Sequence, residues 1–255
     1  MKTTLVQSSL FGGFRHLLLG AIIFSMSSLF SACDDVFLES CDRVDEDIVI
    51  QDFALANFNQ IRLYADADVY LSNSSTPSVT IEGPSNVVNA VTLGVSNNTW
   101  DIDLDRCLRG SYNLKIYVSA PNIENIEVFS SGTVESLETL QAASQLNLKL
   151  SGSGNIKLSI DDTPQVFSII SGSGNISLEG DTQHHDIHIT GSGNLSSYQL
   201  YTDSADVSLS GSGNAYVFVK DLLDVGISGS GSVFYKGFPD LSASISGSGG
   251  VIDSN

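Results

Sequence analysis

The chain has 255 residues, with 29 Asp and Glu against 11 Lys and Arg, a formal charge of −18, and 42% hydrophobic residues. Nucleic acid is excluded as a partner, because phosphate backbones are held by clustered Lys and Arg that displace counterions. Only 16% of residues are charged, so the acidity is not that of a disordered acidic tail, and a chain of this length can bury a core.

The first basic residues, Lys2 and Arg15, precede an apolar run over residues 17–30 that ends in Leu29-Phe30-Ser31-Ala32-Cys33. The run is too short to span a bilayer comfortably and reads as a secretory signal over residues 1–32. Cys33 after small residues resembles a lipobox, where the Cys becomes the acylated first residue, and a membrane lipid anchor is the expected partner. Several acyl chains together give stable anchoring. Signal removal leaves nine basic and 29 acidic residues, a formal −20. The pair Asp34-Asp35 resembles a signal for the outer face of the outer membrane, so an outer membrane lipoprotein exposed at the surface is expected, with the periplasmic face as the alternative. Residues 33–50 read as a linker. Cys41 and Cys107 remain as an even pair in an oxidising compartment and are the disulfide candidates. A loop that long would contribute ~4 kcal/mol in the chain-entropy model.

Residues 51–130 alternate apolar and polar positions through Phe58, Ile61, Leu63, Val69, Leu71, Val79 and Ile81, and again through Val91, Leu93, Val95, Trp100, Ile102 and Leu104, then Leu114, Ile116 and Val118. Asn73-Ser74-Ser75-Thr76-Pro77 and Gly83-Pro84 break the pattern. These are strands with irregular turns, forming either the first coils of a stack or a cap on it.

Residues 131–255 repeat. The word Ser151-Gly152-Ser153-Gly154-Asn155 returns at Ser171, at Thr190, at Ser210, at Ser228 and at Ser246, after a degenerate copy at Ser131. The first glycines, at 132, 152, 172, 191, 211, 229 and 247, are 18 to 20 residues apart, a period that marks a solenoid. Apolar residues sit one and three places before each word: Leu150 and Leu148, Ile189 and Ile187, Leu209 and Val207, Ile227 and Val225, Ile245 and Ala243. The copy at Ser171 departs, with Ile170 but Ser168. Alternation on both sides of a Gly-rich corner means strand, turn, strand. The expected fold is all-β: a parallel β-helix, or closely related β-solenoid, with Ser-Gly-Ser-Gly corners and irregular N-terminal strands. Gly is expected at the corners for positive φ. Asn155, Asn175, Asn194 and Asn214 fall in register and predict an amide ladder.

The sequence resembles the head GIN domain family of auto-transporter adhesin lipoproteins. Val79-Thr80-Ile81-Glu82-Gly83 with Asn86-Val87, Leu114-Lys115-Ile116-Tyr117-Val118, Pro121-Asn122-Ile123 and the Ser-Gly-Ser-Gly words carry the resemblance from about residue 50 onward. It implies a β-helix-like fold and an adhesin role, and brings no catalytic residues with it.

No cofactor is expected beyond a weak Ca²⁺ site. The words lack the Lys and helix of a phosphate loop and the Asp of calcium-binding β-rolls, and Gly226-Ile227-Ser228-Gly229-Ser230 lacks the last Gly of a nucleophile elbow. The outward position four before each word holds Asp186, Asp206 and Asp224 in successive coils. Carboxylates about 4.8 Å apart repel, and a hard cation would relieve them, with His188 of the His184-His185-Asp186-Ile187-His188 cluster beside the column. The outer face turns aromatic toward the last coils, at Tyr216, Phe218 and Phe234, with Tyr198 near a bulge. Such residues mark a contact patch for a glycan or protein ligand. A non-enzymatic, lipid-anchored adhesion or ligand-binding solenoid is therefore expected. The alternatives are a carbohydrate-active β-helix enzyme, disfavoured because Arg43, Arg62, Arg106 and Arg109 all lie outside the repeat, and a structural envelope protein that stacks on itself through its last coil.

Overall fold

The computed structural model describes residues 41–141 and 144–255. Four long strands, Asn155–Ile170, Asn175–Ile189, Asn194–Leu209 and Ala215–Ile227, each run from one Gly-rich word to the next. Each is one coil, and each pairs in parallel with the coil before and after it, Ile156 beside Ile176 beside Leu195 beside Ala215. Alternate side chains point inward, so Ile156, Ile160, Ile170, Ile176, Ile187 and Ile189 are fully buried. The fold is thus the β-solenoid that the repeat predicts, since one coil buries its apolar face only against the next.

The corner glycines are required for a reason other than positive φ. Among the described residues the glycines with positive φ are Gly110, Gly180 and Gly237, none of them in a corner word. A Cβ on Gly172 would collide with the carbonyl oxygen of Gly152, and one on Gly191 with that of Gly172. The coils approach so closely here that no side chain fits between them. The word's amides serve the stack, with Ser173 N–H donating to Gly152 O at 3.2 Å and Ser192 N–H to Gly172 O at 3.1 Å.

The amide ladder forms beside them. Asn175 Nδ2 donates to Asn155 Oδ1 at 3.4 Å, Asn194 Nδ2 to Asn175 Oδ1 at 3.1 Å, and Asn214 Nδ2 to Asn194 Oδ1 at 3.3 Å. Asn175 Oδ1 also accepts the backbone N–H of Asn194 at 3.3 Å and Asn194 Oδ1 that of Asn214 at 3.0 Å, and Asn214 Oδ1 accepts Ser232 N–H at 2.9 Å. Half a coil away the strands bend at a second corner, where Asp162 has φ 42° and Gly180 φ 115°. Thr163, Thr182 and Thr202 stack there, buried, with Thr182 Oγ1 donating to Thr163 O at 2.7 Å.

The N-terminal strands belong partly to the solenoid and partly to its cap. Gln60–Leu63 and Asp68–Asn73 pair in parallel with Asn125–Val128 and Thr133–Ser136 on one side, and with Thr99–Ile102 and Lys115–Ala120 on the other. The coil of residues 60–73 therefore lies between two coils that follow it in sequence. Beyond these, Ser78–Pro84 runs antiparallel to Lys115–Ala120, and Ile48–Phe53 antiparallel to Ser78–Pro84. A single helical turn, Ser85–Val88, buries Val87 and Val88. Trp100 is fully buried against Phe58, and its indole N–H donates to Thr92 O at 2.8 Å. Asn97 and Asn98, both with positive φ, make the tight turn between Val95–Ser96 and Thr99–Ile102.

At the other end, Asp240–Ile245 pairs with Ala215–Ile227, and Val251–Asp253 with Val233–Lys236. Among the described residues no further coil lies on them. Ala243 and Ile245, which the repeat places inward, are exposed for that reason. Gly191→Ala is expected to destabilise the fold by roughly 4 kcal/mol or more, since backbone must move. Asn194→Ala should cost only about 1–2 kcal/mol. Urea unfolding of both variants checks the contrast.

Candidate functional site

The outer face of the later coils carries the aromatic residues expected from the sequence and one more, Tyr201. Tyr216 stacks on Phe234 across neighbouring coils, ring centres 4.9 Å apart and planes 12° apart. Tyr198 meets Tyr216 edge-on at 5.6 Å, and Lys236 Nζ lies 4.8 Å from the Tyr198 ring centre. Phe218 turns to a different partner, Tyr201, edge-on at 4.9 Å. One irregular segment of strand Asn194–Leu209 arranges this, with an extra residue between Ser196 and Gln199 against the coil before it and a register shift between Ser197 and Tyr201 against the coil after it. Ser197 stays inward by plain alternation, its hydroxyl donating to Tyr216 O at 2.9 Å, and the extra residue after it turns Leu200 inward and Tyr201 outward, with 58% of its surface exposed. Sequence alternation alone misses Tyr201. The signal was the polar pair Ser197 and Gln199 at positions that the repeat requires to be apolar.

Two grooves adjoin these rings. One, of about 450 Å³, is walled by Tyr198, Tyr216, Ser196 and Gln199. The other, of about 460 Å³, runs along the second corner between Tyr201, Phe218, Gln183, Asp162, Asp181 and Asp203. Lys220 Nζ bridges Asp203 at 3.3 Å and Asp221 at 3.7 Å. Aromatic faces beside carboxylate and amide acceptors suit an uncharged, hydroxyl-rich ligand, because C–H faces pack on rings while hydroxyls donate to the acceptors. The acidic walls repel anions.

Asp186, Asp206 and Asp224 stand in the predicted register. They do not make a metal site. Asp186 Oδ1 lies 3.0 Å from His188 Nε2 and Asp206 Oδ2 3.5 Å from His184 Nε2, so imidazoles neighbour two of the carboxylates. Among the described residues no group of three or more His, Cys, Asp or Glu is placed to hold a metal ion. The column therefore does not converge on a calcium ion, contrary to the expectation from its register. The phosphate-loop reading fails too, as the corner amides bond to the neighbouring coil.

His185 points inward instead. It is buried, and its Nε2 lies 2.9 Å from the hydroxyl of Ser168, the polar residue that broke the apolar pattern one coil earlier. Burial, with a smaller push from His184, lowers the imidazole to about 3. Cys41 and Cys107 are both disulfide-bonded. Cys33, like the expected signal over residues 1–32 and the Asp34-Asp35 pair, lies outside the described residues. Among the described residues no helix is long and apolar enough to cross a membrane.

Parallel coils, a glycine corner column and an amide ladder define a β-solenoid whose outer face carries the chemistry. The chain belongs to the family described as "Putative auto-transporter adhesin, head GIN domain", which matches residues 57–239. Among solved structures it is similar to a protein from Bacteroides fragilis described as a putative adhesin, with 26% identity, a TM-score of 0.76, and coverage of 83% of this chain and 99% of that one. A protein from Parabacteroides distasonis described as a putative lipid binding protein shares the fold at 20% identity and a TM-score of 0.71, covering 84% of this chain and 99% of its own. A protein from Parabacteroides merdae described as a putative adhesin matches at 18% identity and a TM-score of 0.67, over 85% of this chain and 100% of its own. No curated protein matches.

The neutral His185 makes stability depend on pH. The unfolded imidazole takes up a proton below about 6.5, whereas the folded one does so only near 3. The unfolded state binds more protons in that window, so stability falls as pH drops from about 6.5 toward 3, by a few kcal/mol in order of magnitude. A His185→Leu, Ser168→Ala double variant should lose this part of the dependence. Melting temperatures from pH 7 to 4 test it.

Proposed function

We propose that the protein is a non-enzymatic adhesin, anchored by acyl chains on Cys33 to the outer membrane and exposed at the cell surface, that contacts uncharged carbohydrate through its aromatic outer face. The observation that carries the reading is the paired rings, Tyr216 on Phe234 beside a polar groove and Tyr201 against Phe218 beside an acidic one, on a rigid stack. Family membership supports the adhesin role, and the lipobox-like sequence supports the anchor. A glycosidase or lyase needs a carboxylate pair with a base or Arg in a cleft. Arg62 is engaged with Asp101 at 3.1 Å and Arg106 with Asp105 at 2.7 Å, away from the grooves.

The test is a glycan array with the soluble chain from residue 34, followed by titration of the best neutral ligand. Tyr216→Ala with Phe234→Ala is expected to weaken binding tenfold or more, since a lost ring contact is worth about 0.5–1.5 kcal/mol, while the melting temperature stays within a few degrees. Binding by wild type and variant alike overturns the patch. Separately, Cys33→Ser should abolish incorporation of labelled palmitate in cells and release the protein from membranes.

A further inference from the structure

The open end of the solenoid presents a sheet edge that natural β proteins normally protect. Unpaired strands are blunted by Lys, Pro, bulges or a covering loop. Strand Asp240–Ile245 contains no Lys, no Pro and no irregularity in its pairing, and its one charge, Asp240, sits at its first position. All six residues are exposed, with Leu241 at 44% and Ile245 at 46%, although Leu241, Ala243 and Ile245 continue the buried columns of Leu223, Val225 and Ile227.

The sequence of this edge says what fits it. Leu241-Ser242-Ala243-Ser244-Ile245 reads nearly the same in both directions about Ala243. We infer that the last coil pairs with the last coil of a second copy of this chain, antiparallel and centred on Ala243, closing the solenoid tail to tail. In that register Leu241 faces Ile245 of the second copy, Ser242 faces Ser244, Ala243 faces its own equivalent, and Asp240 faces Ser246, so no two carboxylates meet. The apolar residues then extend one interior through both copies and the serines stay on the outer face. A slip of one residue would turn the apolar set outward, and a slip of two would leave a large side chain opposite Ala243.

The rest of the coil agrees. The words at Gly229 and Gly247 are 18 residues apart, which places Ile252 half a coil from Ala243. The two-fold axis through Ala243 leaves the stack near Ile252, where Val251–Asp253 meets its own copy. Growth beyond two is blocked, because the other end of the stack is closed by the antiparallel strands Ile48–Phe53 and Ser78–Pro84 and offers no matching parallel edge. The contact is isologous and closes at a dimer. It is independent of the carbohydrate reading, which concerns the outer face.

The experiment uses the chain from residue 33 with Cys33→Ser. Light scattering behind size exclusion, over a hundredfold range of concentration, is expected to show the mass rising from one copy to two and stopping there. Ile245→Lys should hold it at one copy with the melting temperature retained. For register, Ala243→Cys should give a disulfide-linked dimer under mild oxidation, Ser242→Cys alone should not, and Ser242→Cys with Ser244→Cys should again. One copy at every concentration, a ladder of larger species, or equal cross-linking by Ala243→Cys and Ser242→Cys overturns the inference.

Discussion

The close approach of neighbouring coils at the glycine corner governs this structure. The carbonyl oxygen of one corner glycine occupies the place where a side chain of the next would begin, at Gly152 beneath Gly172, Gly172 beneath Gly191, and Gly191 beneath Gly211. Once that contact is made, the coils have a single stacking register, and the columns beside it follow. The asparagine ladder is one such column, the inward aliphatics another, and the outward aromatics a third. The chain's chemistry is therefore written on columns, and a residue's neighbours are found one coil away in sequence.

That explains how much could be read without coordinates. The spacing of the words and the apolar residues around them implied parallel coils, the amide ladder, and the outward placement of Tyr216, Phe218 and Phe234. The corner glycines were legible as necessary but for the wrong cause, because a sequence shows that Cβ is absent and not whether a dihedral angle or a neighbouring backbone demands it. The order of the first coils was not legible at all. Residues 60–73 lie between coils formed by residues 99–120 and 125–136, and only long-range pairing decides that.

At the site, the losses trace to single departures from alternation. Tyr201 lies outward because strand Asn194–Leu209 carries one extra residue between Ser196 and Gln199 relative to the coil before it, and that slip exchanges the faces of the residues that follow. Ser168 interrupts an apolar column and His185 interrupts the same face one coil later, and their meeting at 2.9 Å turns two apparent faults into one satisfied polar pair. The aspartate column shows the converse. Its register was correct, but a hydrophilic outer face lets flanking imidazoles approach two of the carboxylates, and stacked carboxylates alone do not converge on an ion.

The capped end has a geometric consequence of its own. The chain enters the solenoid through Ile48–Phe53, at the closed end of the stack, and leaves it at the other. Each coil of 18 to 20 residues advances the stack by about 4.8 Å. The repeat is thus a ruler: gain or loss of one word with its strand would change the height of the last coil above the point of entry by one such step, while leaving every column in register.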